Sequence, residues 1–191
     1  LLQSRRPTSE EPNKVQSVTR LHSLESALED TLETLVRAEA GQAIDVLEAR
    51  LREAVIMEAE IRDRNPNAVV GPITTSIAGT DVTNETTTDI KTFLIQTHRK
   101  VVDHWIEEDP DDDARAELLT RYLDDITVFR RLGLYLLKEH RDHYPNLVAA
   151  ELLDETNYGE VLTKEDFLRL LRDGIDVLSD ENRRQVIDVI T

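Results

Sequence analysis

The segment that begins at Asp154 contains candidate metal ligands and partly matches the spacing of a calcium-binding loop. Asp154 stands at the first position of such a loop, Gly159 at the sixth and Glu165 at the twelfth. An EF-hand has its first carboxylate ligand, its turn glycine and its bidentate glutamate at these positions. Tyr158 at the fifth position and Leu162 at the ninth do not supply the expected ligands. We therefore interpret the segment as a turn between two helices, and calcium binding is the alternative.

A second set of candidate metal ligands consists of His140 and His143, which lie three residues apart near a predicted helix end. Two histidines at this spacing can bind one zinc ion, but a zinc site needs a third protein ligand, and the sequence does not indicate one. Histidines near a helix C-terminus also interact favourably with the helix dipole, and we adopt that interpretation. The sequence thus predicts no metal site and no cofactor, with Asp154, Glu165, His140 and His143 as the candidate ligands.

The composition does not support catalysis. The sequence has no cysteine, which excludes thiol nucleophiles, disulfides and thiolate zinc sites. It also lacks a glycine-rich phosphate loop, a Gly-x-Ser-x-Gly motif and a His-Glu-x-x-His motif. Aspartate and glutamate together number 39, so no pair of carboxylates stands out as an acid–base dyad. We predict that the chain is not an enzyme.

The charge of the chain limits its partners. Its formal net charge is −16, and negative charge repels the phosphates of nucleic acids, so direct binding to nucleic acid is not expected. The sequence has no run of about eighteen apolar residues, which a membrane span requires, and its first residues do not form a signal peptide. We expect a cytoplasmic protein that does not enter a membrane. Because the chain begins without methionine, we interpret it as a piece of a longer protein.

Breaks in the apolar pattern divide the first part of the chain. Residues 1–18 contain little apolar material and are predicted to form a flexible tail. In residues 19–65, apolar residues recur every three or four positions on both sides of Gly41, which predicts a helical hairpin with its turn at that glycine. A single long helix through Gly41 is the alternative, and it would need a coiled-coil partner to cover its apolar stripe. Residues 66–88 are rich in threonine and are predicted to form a linker.

Residues 89–191 are predicted to form about six short amphipathic helices. The most apolar of them covers residues 127–140, where Val128, Leu132 and Leu136 share one face. Its neighbours are expected to pack against it. The whole pattern predicts an all-α protein, in which a helical bundle or a short α-solenoid of HEAT-like paired helices follows the hairpin.

Four residues are candidates for contact with a protein partner. Arg130 and Arg131 form a basic pair that is expected to point mostly to solvent. There it can meet a partner carboxylate or a phosphate, or simply the acidic surface of the protein itself. Trp105 is expected to pack in the core or in an interface. Phe129 widens the apolar face of the central helix. We treat Phe129, Arg130, Arg131 and Trp105 as the predicted interaction residues.

The second half of the chain resembles a known group of proteins. A motif of the form Phe-Arg-Arg-Leu-x-Leu-x-Leu-Leu occurs here as Phe129, Arg130, Arg131, Leu132, Leu134, Leu136 and Leu137. A later segment of that group is matched by Leu178, Ser179 and Ile190. On this basis residues 124–190 are similar to the C-terminal helical regions of large prokaryotic NTPases of the STAND and related kinds, many of them linked to antiviral defence. The chain contains no nucleotide-binding motif, so the resemblance implies a scaffold or sensor segment of a larger machine and no hydrolysis by this piece.

These observations predict a non-catalytic helical scaffold or sensor that acts through protein–protein contacts. Its partner is expected to be protein, either a second copy or other domains of a longer chain. Two alternatives stay open. One is a helical module that calcium or zinc regulates through the candidate ligands. The other is an oligomer that assembles as a coiled coil through residues 21–61.

Overall fold

The computed structural model describes the backbone of residues 4–5, 16–17, 21–63, 65–68 and 90–190. It describes the side chains of residues 40–63, 65–67 and 90–190. The predicted tail (residues 1–18) and the predicted threonine-rich linker (residues 66–88) therefore lie almost entirely outside the described residues.

The described residues form an all-α fold, as predicted, and a pair of two-residue antiparallel strands, β1 (Ser4–Arg5) and β2 (Gln16–Ser17), precedes the helices. The helices are α1 (Leu21–Arg62), α2 (Ile90–Glu108), α3 (Asp113–Leu123), α4 (Thr127–Glu139), α5 (Pro145–Leu153), α6 (Lys164–Gly174) and α7 (Asp180–Ile190). Single 3₁₀ turns cover Pro66–Ala68, Glu155–Tyr158 and Ile175–Val177. Within these described stretches, no helix is both long enough and apolar enough to cross a membrane.

Helices α1 and α2 belong to the first of two compact units and pack against each other. A buried ion pair accompanies their apolar contact. Lys91 Nζ, in the first turn of α2, lies 2.8 Å from Glu58 Oε2 near the end of α1. Arg62 Nη2 lies 2.8 Å from the other carboxylate oxygen of Glu58. The start of α2 is therefore held beside the end of α1. Among the described side chains of α1, the buried apolar ones are Ile44, Leu47, Leu51, Ala54, Val55 and Ala59.

Helix α1 has 42 residues and passes through Gly41 without interruption. The predicted hairpin turn at Gly41 is therefore wrong, and the single-helix alternative is right. A glycine inside a helix costs only about 1 kcal/mol, which the packing of α1 against α2 outweighs. The helix ends at Arg62, and Asp63 follows it with a φ of 48°. A left-handed residue at this position is a common way to terminate a helix.

Helix α4 lies at the centre of the second unit, where it contacts α3, α5 and α6. The prediction that neighbouring helices pack against this stretch is confirmed. Its apolar residues Val128, Leu132 and Leu136 are buried. Gly133 allows α3 to approach closely, because a Cβ at this position would lie 3.1 Å from the Cβ of Tyr122. Contacts of α5 with α6 and α7 complete the bundle.

Replacement of Gly41 by alanine tests the continuity of α1. We expect Gly41→Ala to raise the free energy of unfolding by about 0.5–1 kcal/mol, because alanine is the better helix former and the added Cβ would meet no atom within 4 Å. Gly133→Ala is the control and is expected to lower stability, because its Cβ would press on α3. Urea unfolding followed by far-ultraviolet circular dichroism measures both changes. A loss of stability in Gly41→Ala would mean that the backbone turns at this residue.

Candidate functional site

A cluster of polar side chains joins three elements of the second unit: Arg130 from α4, Glu151 from α5 and Asn157 from the 3₁₀ turn that follows α5. Arg130 Nη2 donates to Glu151 Oε2 at 3.0 Å and to Asn157 Oδ1 at 2.6 Å. Arg130 Nη1 donates to the main-chain oxygen of Leu123 at the end of α3. One guanidinium group therefore connects α4 to α3, to α5 and to the turn.

Asn157 is 4% exposed, and both ends of its side-chain amide are bonded. Its Nδ2 donates to the main-chain oxygen of Glu151 at 2.8 Å and to Glu151 Oε2 at 3.1 Å. Its Oδ1 accepts the hydrogen bond from Arg130. The polar groups of this cluster thus face one another, as buried polar groups must, and they hold the 3₁₀ turn against α5.

Burial raises the pKa of Glu151 above its ordinary value. The guanidinium of Arg130 lowers the same pKa, but the loss of water around the carboxyl, together with the negative charges of Asp154 and Asp124, outweighs it. A carboxyl with a raised pKa can serve as a general acid or base when it reaches a substrate. Oε2 of Glu151 accepts hydrogen bonds from Arg130 and Asn157, which connect α5 to α4 and to the 3₁₀ turn.

A second ion pair joins α4 to α6. Arg131 Nε donates to Asp166 Oδ2 at 2.6 Å, and the two side chains are only 3% and 2% exposed. The prediction that Arg131 points to solvent is therefore wrong. Consecutive residues of a helix point about 100° apart, and α4 has neighbours on several sides, so Arg130 and Arg131 both meet other elements. A buried charge requires a charged or hydrogen-bonding partner, which Asp166 supplies here.

The four predicted interaction residues have different environments. Phe129 is fully buried, and its ring centroid lies 5.4 Å from that of an aromatic ring of α3. Arg131 is buried in the ion pair with α6. Phe129 and Arg131 were predicted to contact a partner. This prediction is corrected, because both side chains are buried and pack inside the second unit. Arg130 and Trp105 are partly exposed, and contact of these two with a partner stays a prediction.

Asp154 uses its carboxylate to begin the 3₁₀ turn that follows it. Its Oδ1 accepts hydrogen bonds from the main-chain nitrogen of Thr156 at 3.0 Å and from its Oγ1 at 2.7 Å. These bonds hold the pKa of Asp154 below its ordinary value. Glu165, at the other end of the segment, accepts a hydrogen bond from Arg169 Nη2 at 3.2 Å. Tyr158 donates its hydroxyl to the main chain of α5 at 2.9 Å. The segment has the bonding of an interhelical turn.

His140 and His143 differ in exposure. His140 is buried at the C-terminus of α4, where its main-chain nitrogen donates to the oxygen of Leu136 at 2.9 Å. His143 is exposed in the turn that follows. Across the part of the chain that the structure describes, no three histidine, aspartate or glutamate side chains come together as metal ligands. In this part of the chain, no third ligand therefore lies beside Asp154 and Glu165, or beside His140 and His143.

An open depression of about 460 Å³ runs along the outer face of α3. Its described lining comes from one helix only, with Asp113, Glu117 and Arg121 at successive turns and Ala116 and Thr120 beside them. Small-molecule sites are usually concave and enclosed by several elements. This depression has the character of an exposed helix face.

Comparisons of the chain with protein-family models, with curated proteins and with solved structures found no match. Within the second unit, Arg130 and Arg131 bond to side chains of other elements. Sequence reasoning missed the partners Glu151, Asn157 and Asp166. They follow the arginines that they bind by 21, 27 and 35 residues, and no local pattern identifies a carboxylate as a partner among 39.

Removal of one half of the buried ion pair is expected to destabilise the second unit strongly. Arg131→Met leaves the carboxylate of Asp166 buried without its guanidinium partner, and we expect a loss of about 3–5 kcal/mol in the free energy of unfolding. Asp166→Leu is expected to cost a similar amount. The double variant is expected to lose much less than the sum, because apolar side chains can replace a buried ion pair. Urea unfolding of all four proteins measures this coupling, and additive losses would show that the pair does not interact.

The raised pKa of Glu151 makes part of the stability depend on pH. A carboxyl that holds its proton more tightly in the folded state stabilises the fold when it is protonated. This contribution is complete below the ordinary value of 4.5 and is lost as the pH rises through the folded-state pKa. We therefore expect the difference in free energy of unfolding between wild type and Glu151→Gln to fall as the pH rises above 4.5 and then to level off. Urea unfolding over this range measures the difference, and an increase with pH would reverse the assignment.

Proposed function

We propose that this chain is a non-catalytic helical scaffold that works through contacts with other protein. The observation that carries the proposal is the length of α1. Its 42 residues span about 63 Å, whereas the 19 residues of α2 span about 28 Å. Less than half of α1 can therefore lie against α2. Helices in water owe most of their stability to packing of their apolar face. Contact with other protein along the rest of α1, beyond its contacts with β1 and with the 3₁₀ turn Pro66–Ala68, would therefore stabilise it.

The way in which the second unit uses its charged side chains supports the non-catalytic part of the proposal. Arg130, Glu151 and Asn157 bond to one another across three elements, and Arg131 bonds to Asp166. A catalytic acid or base must reach the proton that it transfers. These groups reach neighbouring helices instead.

The wider setting of the scaffold rests on the sequence. The resemblance of residues 124–190 to helical regions of prokaryotic defence NTPases supports a place in a larger protein of that kind, where the chain would serve as scaffold or sensor. We propose the cytoplasm as its compartment. A metal-regulated module is less well supported, because Asp154 and Glu165 bond to Thr156 and Arg169.

A phosphate-release assay tests the absence of catalysis. The purified chain is incubated with magnesium and ATP, GTP or a chromogenic phosphomonoester, and we expect no more phosphate than in buffer alone. The folded wild type and Glu151→Gln are compared, because Glu151 is the buried carboxyl with a raised pKa. Saturable turnover by the wild type that heat unfolding abolishes would overturn the proposal. Loss of that turnover in Glu151→Gln would further identify the polar cluster as a catalytic site.

A further inference from the structure

Helix α7 is the least buried helix of the second unit. Of its 11 residues, all of which the structure describes, only Val186 is buried. Helix α6 has the same length and buries four of its residues. Two large apolar side chains of α7 are about half exposed, Ile187 at 49% and Ile190 at 51%. A single fully buried side chain therefore anchors α7 to the rest of the unit.

The polar contacts of α7 lead to the segment that connects it to α6. Arg183, in the first turn of α7, donates from Nε to the main-chain oxygen of Ile175 at 3.3 Å. Its Nη2 donates to the main-chain oxygens of Asp176 at 3.2 Å and of Leu178 at 3.4 Å. Within the described residues, no side-chain hydrogen bond or ion pair joins α7 to α5. Arg183 thus holds the start of α7 to the connecting segment, and the rest of the helix depends on Val186.

The neighbours of α5 indicate which of its sides α7 covers. Val148 faces α6, because a Cβ on Gly174 would lie 2.9 Å from its Cγ1. Glu151 faces α4, where it bonds to Arg130. Ala149 is 6% exposed and points about 100° from Val148 and about 160° from Glu151. Helix α7 also packs on α5, and the Ala149 side is the one left for it.

We infer that α7 detaches from α5 while α3 to α6 stay folded, and that it thereby acts as a displaceable cover over the Ala149 side of α5. An element with few buried apolar contacts opens at a lower free energy than the core of its unit. Leu178 is 5% exposed and anchors the connecting segment, so the hinge follows it. Contact with this side of α5 is possible only in the open state. The inference goes beyond the scaffold function and does not depend on it.

Hydrogen exchange of the full chain, followed by NMR at several low urea concentrations, tests the opening. A detached helix of this length is not stable in water, so its main-chain N–H groups exchange whenever α7 opens. We expect residues 184–189 to share one opening free energy and to exchange at least about tenfold faster than the core of α4. Their exchange should also depend less on urea, because the opening exposes little surface.

Equal exchange and equal urea dependence in α7 and α4 would overturn the inference, because α7 would then open only when the whole unit unfolds. Exchange that rises steadily toward the last residue of α7 would also overturn it, because that gradient is the result of fraying at a helix end.

Alanine variants of two neighbouring residues test the anchor. Val186→Ala removes two buried methyl groups and is expected to speed the exchange of residues 184–189 by about tenfold. Ile187→Ala shortens the half-exposed side chain beside it and is the matched control, expected to change this exchange by no more than about twofold. Unchanged exchange in Val186→Ala would contradict the role of Val186 as the anchor and overturn the inference.

A third variant tests whether α4 stays folded when α7 opens. Val128, in α4, is 3% exposed, so Val128→Ala is expected to speed exchange in α4. Exchange in α7 should stay unchanged, because the contacts of Val128 persist in the open state. Equal acceleration of both helices would overturn the inference. Turnover in the phosphate-release assay would overturn the scaffold proposal instead, with no bearing on the opening of α7.

Discussion

A charge can be buried in a protein only beside a group that compensates it, and this constraint determines how the second unit is arranged around α4. Arg130 and Arg131 are consecutive, so they point about 100° apart and need partners from different helices. Glu151 on α5 and Asp166 on α6 supply them. Such pairs add little stability over apolar replacements, but the loss of one partner is costly. They therefore disfavour any arrangement in which another helix takes the place of α5 or α6.

The helices of the second unit are predictable from sequence because apolar spacing is local information. The apolar stretch predicted at residues 127–140 corresponds to the observed helix Thr127–Glu139. This helix is central because it has buried residues on several sides, although α5 is the more apolar helix. The turn predicted at Gly41 is not observed, and the reason is physical. Glycine weakens a helix locally by about 1 kcal/mol, whereas the continuity of α1 depends on its packing against α2. That packing joins residues distant in sequence, which periodicity alone does not reveal.

The polar cluster shows the corresponding limit for side chains. A basic pair on an amphipathic helix is predicted to face solvent, and this holds for a helix with one covered face. Helix α4 has neighbours on several sides, so Arg131 is buried and Arg130 is nearly so. The turn character of the segment from Asp154 was accessible from sequence, because a tyrosine and a leucine stand where ligands are needed. The role of Asn157 as the link between that turn and Arg130 was not accessible from sequence, because Arg130 lies 27 residues before it.

The contact between Lys91 and Glu58 also determines how α2 is placed along α1. Two apolar helix faces can slide past each other by one turn, about 5.4 Å, because one aliphatic side chain then takes the place of another. A shift of this size would separate an ammonium group and a carboxylate that are both buried. The ion pair therefore fixes the position of α2 along the axis of α1. It selects a single alignment from the several that hydrophobic contact alone would accept.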